Sequence, residues 1–374
     1  MKTVHMFPFM LIALLSLPAT LPAGSIPENL AALRSVGANG KGHKQAILAW
    51  KELSELPADK LPTVLAGMDG ASDLSVNWLR AVADTIAQRQ LQQQGKLPLK
   101  DLEGFISDRS HHPRARRTAY EIISLVDRSA HDRIIPGLLD DPSLELRRDA
   151  VAHAIREAAE ISESSPAIVA YRRALTSARD LDQIELATKR IRGLGGDVNL
   201  PLQFGFLMDW ALVGPFDNEN TKGFDRAYPP EVELDLSHTY KGKEGDITWL
   251  KHSTTDEFGT VDLNVVLGKH KGSICYAHTV FMSPEATPVE IRVGCINGNK
   301  VWVNGKMVVS NHVYHASTAI DQYTAQATFR KGRNDILVKV AQNEQTEDWA
   351  QRWQFQLRVC DRYGTAILAT DRTK

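Results

Sequence analysis

Cysteine is scarce in this chain of 374 residues: there are three, Cys275, Cys295 and Cys360, all within the last hundred positions. Small exported scaffolds that depend on disulfides are far richer in it, so hydrophobic cores must hold this chain together, and at most one bridge can form. An excess of either charge is also missing. The 44 Lys and Arg against 45 Asp and Glu leave a formal net charge of -1, which excludes a global field drawing the protein to nucleic acid or to an anionic membrane. After residue 24 no apolar run is long enough to cross a bilayer, so no membrane span is expected in the mature chain. Reaction signatures are missing as well: there is no Gly-x-Ser-x-Gly elbow, no His-Glu-x-x-His zinc helix, no Cys-x-x-Cys-His haem site and no Walker lysine loop. No catalytic residue is therefore assigned, and no cofactor is expected.

The content that remains is that of a globular chain, 43% apolar and 24% charged, with a length that suggests two domains. Residues 1 to 23 carry Lys2, an apolar run from Phe7 to Leu17 and the segment from Pro18 to Ala23. A charged start, a short apolar stretch and a small residue at a processing point read as a secretory signal peptide, and Pro18 and Pro22 end the run before it reaches membrane-spanning length. Cleavage is expected after Ala23, with Ala19 as the alternative. The expected location is secreted or periplasmic.

From 24 to 200 the apolar spacing is helical. Between Ser143 and Glu160, Leu144, Leu146, Ala150, Val151, Ala154, Ile155 and Ala158 recur mostly at three- and four-residue steps among charged positions, which predicts an amphipathic helix. Asp141-Pro142-Ser143, Ser72-Asp73, His112-Pro113 and Ser165-Pro166 read as helix starts. Trp78-Leu79-Arg80-Ala81-Val82, Arg116-Arg117-Thr118-Ala119-Tyr120 and Arg147-Arg148-Asp149-Ala150-Val151 share an order of Arg, Ala and large apolar residue, with Ala81, Ala119 and Ala150 aligned. With the turn Leu138-Leu139-Asp140-Asp141-Pro142 before the last of them, the pattern resembles a HEAT-type repeat. That resemblance implies stacked helix pairs, each burying the face its neighbour leaves open. Arg114, Arg116 and Arg117 are read as a solvated helix face beside Asp108 and Glu121.

Beyond Leu200 the period changes. Runs at 261–267, 274–282, 289–295, 300–309, 336–341 and 353–360 alternate or are rich in β-branched and aromatic residues, with Gly, Pro and Asn between them, and predict an antiparallel β domain over 201–374. The three cysteines end such runs, which makes them small buried side chains; a Cys275–Cys295 bridge requires their runs to form a hairpin centred near Glu285. Trp302 and Trp353 alternate with apolar neighbours and are read as core.

Lys300-Val301-Trp302-Val303-Asn304-Gly305, followed by Gly332-Arg333-Asn334-Asp335-Ile336-Leu337-Val338-Lys339-Val340, resembles the galactose-binding-like jelly roll, and most nearly the sugar-binding β-sandwich of family-2 glycoside hydrolases. Tyr276 to Phe281 match an entering strand and Trp353 to Val359 a closing one. Trp210 to Asn218, with Gly223-Phe224-Asp225 and Tyr228-Pro229-Pro230-Glu231, looks like the opening of similar modules in exported bacterial proteins. The resemblance implies a HEAT-like α-solenoid followed by an antiparallel jelly-roll β-sandwich that binds carbohydrate, such as a cell-envelope glycan, without catalysing a reaction. The family often carries a structural Ca²⁺, yet no motif here fixes its place: in Asp217 to Lys222 a lysine stands where a calcium loop needs glycine, and an Asn- and Asp-capped turn is the simpler reading.

Sugar recognition needs aromatic faces for the apolar side of a pyranose and planar polar groups for its hydroxyls. His312 and Tyr314 on one loop, and Asp348, Trp349 and Arg352 on another, supply both and are the candidate ligand-binding residues, Tyr314 and Trp349 stacking and the others addressing hydroxyls. A competing expectation is an interaction scaffold, with a protein partner on the helical repeats and a purely structural jelly roll.

Overall fold

A computed structural model describes residues 24–372, so the expected signal peptide, with Lys2 and its cleavage points, lies outside the described residues. The chain is helical first and antiparallel β afterwards. The described residues form two compact units, which divide between Leu146 and Arg147.

In the first unit the helices begin where their capping chemistry sits. Ser25 and Glu28 close a reciprocal capping box on Ile26–Arg34, Ser72 accepts from the Ser75 amide at the head of Asp73–Gln92, and Pro113 opens Pro113–Ser124 behind His112. Their apolar faces meet through Leu61, Leu65, Leu79, Val82, Ala83, Ile86, Leu102, Ala119 and Ile123, all at or near zero exposure. The repeat alignment is out of register at its first member. Ala119 and Ala150 are buried, whereas Ala81 points to solvent and Val82 occupies the inward place. Arg116 also departs from a solvated reading. Both it and Asp141 are completely buried, joined by two 2.7 Å bonds, while its Nε donates to the Ile106 carbonyl at 2.7 Å.

The second unit holds the helices Ser164–Ser177 and Leu181–Gly193 and all the strands. In chain order these are β1 (Asp209–Asp217), β2 (Tyr240–Lys241), β3 (Asp246–Ile247), β4 (Leu250–Ser253), β5 (Val261–Asp262), β6 (Ser273–Ser283), β7 (Thr287–Cys295), β8 (Gly298–Val303), β9 (Lys306–Asn311), β10 (Tyr323–Phe329), β11 (Gly332–Gln342) and β12 (Gln354–Cys360). A six-stranded sheet of order β4-β1-β6-β11-β8-β9 faces a four-stranded sheet of order β10-β7-β12-β5. Alternation puts Cys275, Ala277, Phe281, Val301, Val303, Ile336, Val338 and Val340 of the first against Val289, Ile291, Val293, Phe355, Leu357 and Val359 of the second, one continuous core. Trp353 lies wholly inside it.

Two expectations are corrected by this topology. β6 and β7 lie in different sheets, so no hairpin places Cys275 opposite Cys295, and all three thiols are free and buried. Burial pushes the Cys295 thiol up to about 12 and Cys360 up to about 11, which keeps both protonated and inert. Trp302 is half-buried on the outer face of the six-stranded sheet, packed with Phe224, Tyr276 and Leu337 rather than in the core between the sheets. The Asn-Gly turn matches expectation: Asn304 and Gly305 take φ of 51° and 78° and join β8 to β9.

Candidate functional site: the loop end of the sandwich

One end of the sandwich gathers segments distant in sequence: the turn after β1, the start of β8, the loop leaving β9 and the connection from β11 to β12. Its floor is made of amides. Asn218, Asn297, Asn299 and Gln342 are fully buried. Asn218 Nδ2 donates to the Gln342 carbonyl at 2.9 Å and to the Tyr314 hydroxyl at 3.1 Å. Asn297 Nδ2 donates to Gln342 Oε1 at 2.7 Å, and Asn311 Nδ2 to Asn299 Oδ1 at 3.1 Å. Such a network fixes four segments to one another, since each unmet amide would leave a buried polar group without a bond.

Upon that floor runs an aromatic row. The His312 ring stacks flat on Phe224 with centroids 4.1 Å apart, His312 meets Tyr314 edge-on at 5.4 Å, and Tyr314 lies 6.5 Å from His315. His315 meets Trp349 edge-on at 5.0 Å. The row thus crosses from the β9–β10 loop to the β11–β12 loop. Gly298 makes room for it, because a side-chain carbon there would stand 3.3 Å from both Tyr314 and Phe224. His315 adopts φ of 58°, an uncommon conformation for a residue with a side chain, and is held in it by Asn343, whose Oδ1 lies 2.8 Å from its Nε2, and by the Ala316 amide bonding to Ile296. Trp349 is 57% exposed.

The candidate residues are thereby sorted. His312 and Tyr314 touch one another, and Trp349 joins them through His315. Tyr314 is half-buried and its hydroxyl is engaged by Asn218, and burial, first of all, raises its phenol above the ordinary range. Asp348 shares a short 3₁₀ turn with Trp349, and Arg352 follows it; both are exposed, and among the described residues neither side chain makes a hydrogen bond or ion pair. The Arg352 backbone is instead part of the floor, its carbonyl accepting from Asn297 and Gln342. His315, Phe224 and the buried amides are the residues that sequence reasoning left out of the site. The turn at Asn218 was legible only as a capped turn, since nothing in a single sequence shows which distant loop an asparagine will face.

Asn218 Oδ1 and His315 Nδ1, whose residues both contact Tyr314, are buried without a protein partner. Buried polar atoms are nearly always paired, so unpaired ones gathered at one place mark a site with unused hydrogen-bonding capacity. At the turn the Asp217 carboxylate lies 3.9 Å from Lys243 Nζ and accepts from the Glu219 amide at 3.2 Å, and the Asn220 amide donates to the Glu344 carboxylate.

No protein-family model matches the chain, and no curated protein matches it. Among solved structures, the β-glucosidase of Kluyveromyces marxianus is 12% identical over 42% of this chain and 16% of its own length, with a TM-score of 0.26. The β-glucuronidase of Ruminococcus gnavus is 12% identical over 41% of this chain and 27% of its own, at 0.24. The PA14 domain of the antifreeze protein MpAFP is 12% identical over 44% of this chain and 70% of that domain, at 0.23. The described part of this chain thus spans about a sixth of the β-glucosidase it overlays, and at these TM-scores the likenesses carry no functional argument.

Proposed function

We propose that the protein is an exported, non-catalytic carbohydrate-binding protein whose glycan site is the loop end of the β-sandwich, with the helices before residue 200 forming a HEAT-like array. The observation that supports the binding role is the continuous aromatic row from His312 to Trp349 above an amide floor. Pyranose rings present an apolar face of C–H groups to an aromatic ring and equatorial hydroxyls to planar polar groups. Here Trp349 offers the open ring face, and Asp348 and Arg352 flank it with side chains free to reach hydroxyls. Buried amides keep both loops in place before the ligand arrives, so little ordering cost is left to binding. Export is proposed from Lys2 and the short apolar run to Leu17.

The test is a glycan array on the full chain, followed by calorimetric titration of the best glycan into Trp349→Ala. Binding of at least one glycan is expected, weakened tenfold or more in the variant, a loss of about 1.4 kcal/mol, with an unchanged melting temperature. Silence on the array, or undiminished affinity in Trp349→Ala, would overturn the proposal.

A further inference from the structure

A sheet edge exposes unpaired N–H and C=O groups, and folded proteins blunt such edges with lysine, proline, bulges or shortness. The sandwich has four edges. β4 is short and carries Lys251, β5 is two residues long, and β9 carries Lys306 and a register shift against β8. β10 has none of these devices. It is seven residues long, Tyr-Thr-Ala-Gln-Ala-Thr-Phe, without charge, proline or glycine, and it pairs with β7 on one side only.

Its five central residues, Thr324 to Thr328, also read the same in either direction. Around Gln326 stand Ala325 and Ala327, then Thr324 and Thr328, then the aromatic rings of Tyr323 and Phe329. The register with β7 decides which backbone groups are open. Thr328 lies opposite Pro288, and proline has no N–H to give, so that pair is a non-hydrogen-bonded one. Alternation then turns the N–H and C=O of Thr324, Gln326 and Thr328 away from β7, toward the open edge. The same three side chains are the exposed ones on the strand, in strict alternation.

We propose that two copies of this chain pair through β10, antiparallel about a two-fold axis at Gln326. An isologous interface requires a surface complementary to itself, and this one is so in three respects. Gln326 meets the Gln326 of the second copy, and Thr324 meets its Thr328, both as hydrogen-bonded pairs that supply about six N–H···O=C bonds across the axis. Threonine opposite threonine is a favourable cross-strand pair. No like charges oppose each other, because the strand has none. The result is a continuous sheet through both copies.

Sedimentation equilibrium on the full chain tests it, with a monomer–dimer equilibrium expected. Gln326→Lys sets two ammonium groups against each other at the axis and should weaken association at least tenfold. Gln326→Cys should form a covalent dimer on mild oxidation, because Cα atoms of a hydrogen-bonded pair lie about 5.5 Å apart, within disulfide reach. Thr324→Cys should not, since it faces Thr328. The three native thiols are buried and do not compete, and the exposed position of Gln326 lets circular dichroism confirm that each variant is folded. A wild-type monomer at every concentration, a dimer undiminished in Gln326→Lys, or crosslinking of Gln326→Cys no faster than of Thr324→Cys overturns the assignment.

Discussion

His278 shows how one side chain couples this fold to pH. It is 2% exposed on the outer face of the six-stranded sheet, its Nε2 2.9 Å from Asp335 Oδ1. Burial lowers its affinity for a proton and outweighs the opposing pull of Asp335. A neutral ring with its proton on Nε2 can donate to that carboxylate. A folded value below the unfolded one, about 6.5, means that the unfolded chain binds more protons in the interval between them, so stability is full above about pH 6.5 and falls as the pH drops through that interval. His278→Gln keeps a donor for Asp335 and removes the titration. Denaturant midpoints measured from pH 7.5 to 5 should fall less in this variant than in the wild type, and parallel curves would show that His278 is not the group responsible. The tryptophans separate by the same logic of surroundings. Trp353→Ala should cost about 3 to 5 kcal/mol, because the ring is wholly enclosed. Trp302→Ala should cost distinctly less from its half-buried place on the outer face, and urea unfolding of the two variants ranks them. An equal loss would mean that the outer layer packs as tightly as the core.

Glycines test the elements one at a time. Gly305 takes φ of 78° in the β8–β9 turn, where a side chain is strained, so Gly305→Ala should cost about 1 kcal/mol. Gly104 sits exposed inside the helix Leu99–Ser107 with nothing within 4 Å of where a side-chain carbon would stand, so Gly104→Ala should stabilise by about 0.5 to 1 kcal/mol. Opposite shifts in melting temperature are expected, and shifts of one sign would undo the backbone argument. The turn at Asn304-Gly305 was readable because its chemistry is local, and so were the capped helix starts at Ser72, His112 and Ser143. Alternation showed the β character of 201–374 for the same reason, although the run at 261–267 is strand only over Val261–Asp262 and turns helical over Leu263–Val266. What could not be read was sheet membership. β6 and β7 are neighbours in sequence but lie in different sheets, which removes the Cys275–Cys295 pairing, and the two faces of β8 look alike as text although Val301 and Val303 enter the core while Trp302 faces outward. In the site, loop aromatics were visible as residue types. Their joining through His315, and the asparagines beneath, depend on long-range packing that no local pattern encodes.

At the scale of the molecule, the helices after Arg147 share a compact unit with the sandwich, and polar contacts join them. Arg358 and Arg292 lie on the outer face of the four-stranded sheet, 1% and 8% exposed, and both bond to Asp321, Arg292 also to Glu290. Arg358 continues to the carbonyls of Phe204 and Gly364 at 3.1 Å. Over the same loop, Arg179 Nε and Arg147 Nη1 donate to the Tyr363 carbonyl at 3.0 and 3.3 Å, and Arg179 Nη2 donates to Thr365 at 3.3 Å. Four guanidinium groups in one region repel; burial first, then Arg147, Arg358 and Arg292, bring Arg179 down to about 10, so the arrangement holds only while the carbonyls and carboxylates around it stay in place. Cutting the chain at residue 200 removes Arg147, Arg179 and Arg192, and so frees the Tyr363 carbonyl and the Glu257 carboxylate. A fragment of residues 201–374 should therefore melt several degrees below one of residues 147–374, a difference of about 3 kcal/mol from the three hydrogen bonds to the 363–365 loop, at roughly 1 kcal/mol each, with about 0 to 1 kcal/mol more from the exposed Arg192–Glu257 pair. Scanning calorimetry on the two fragments measures it. Arg179→Ala within 147–374 should reproduce part of the loss, whereas equal melting of both fragments would mean that the helices rest on the sandwich without supporting it.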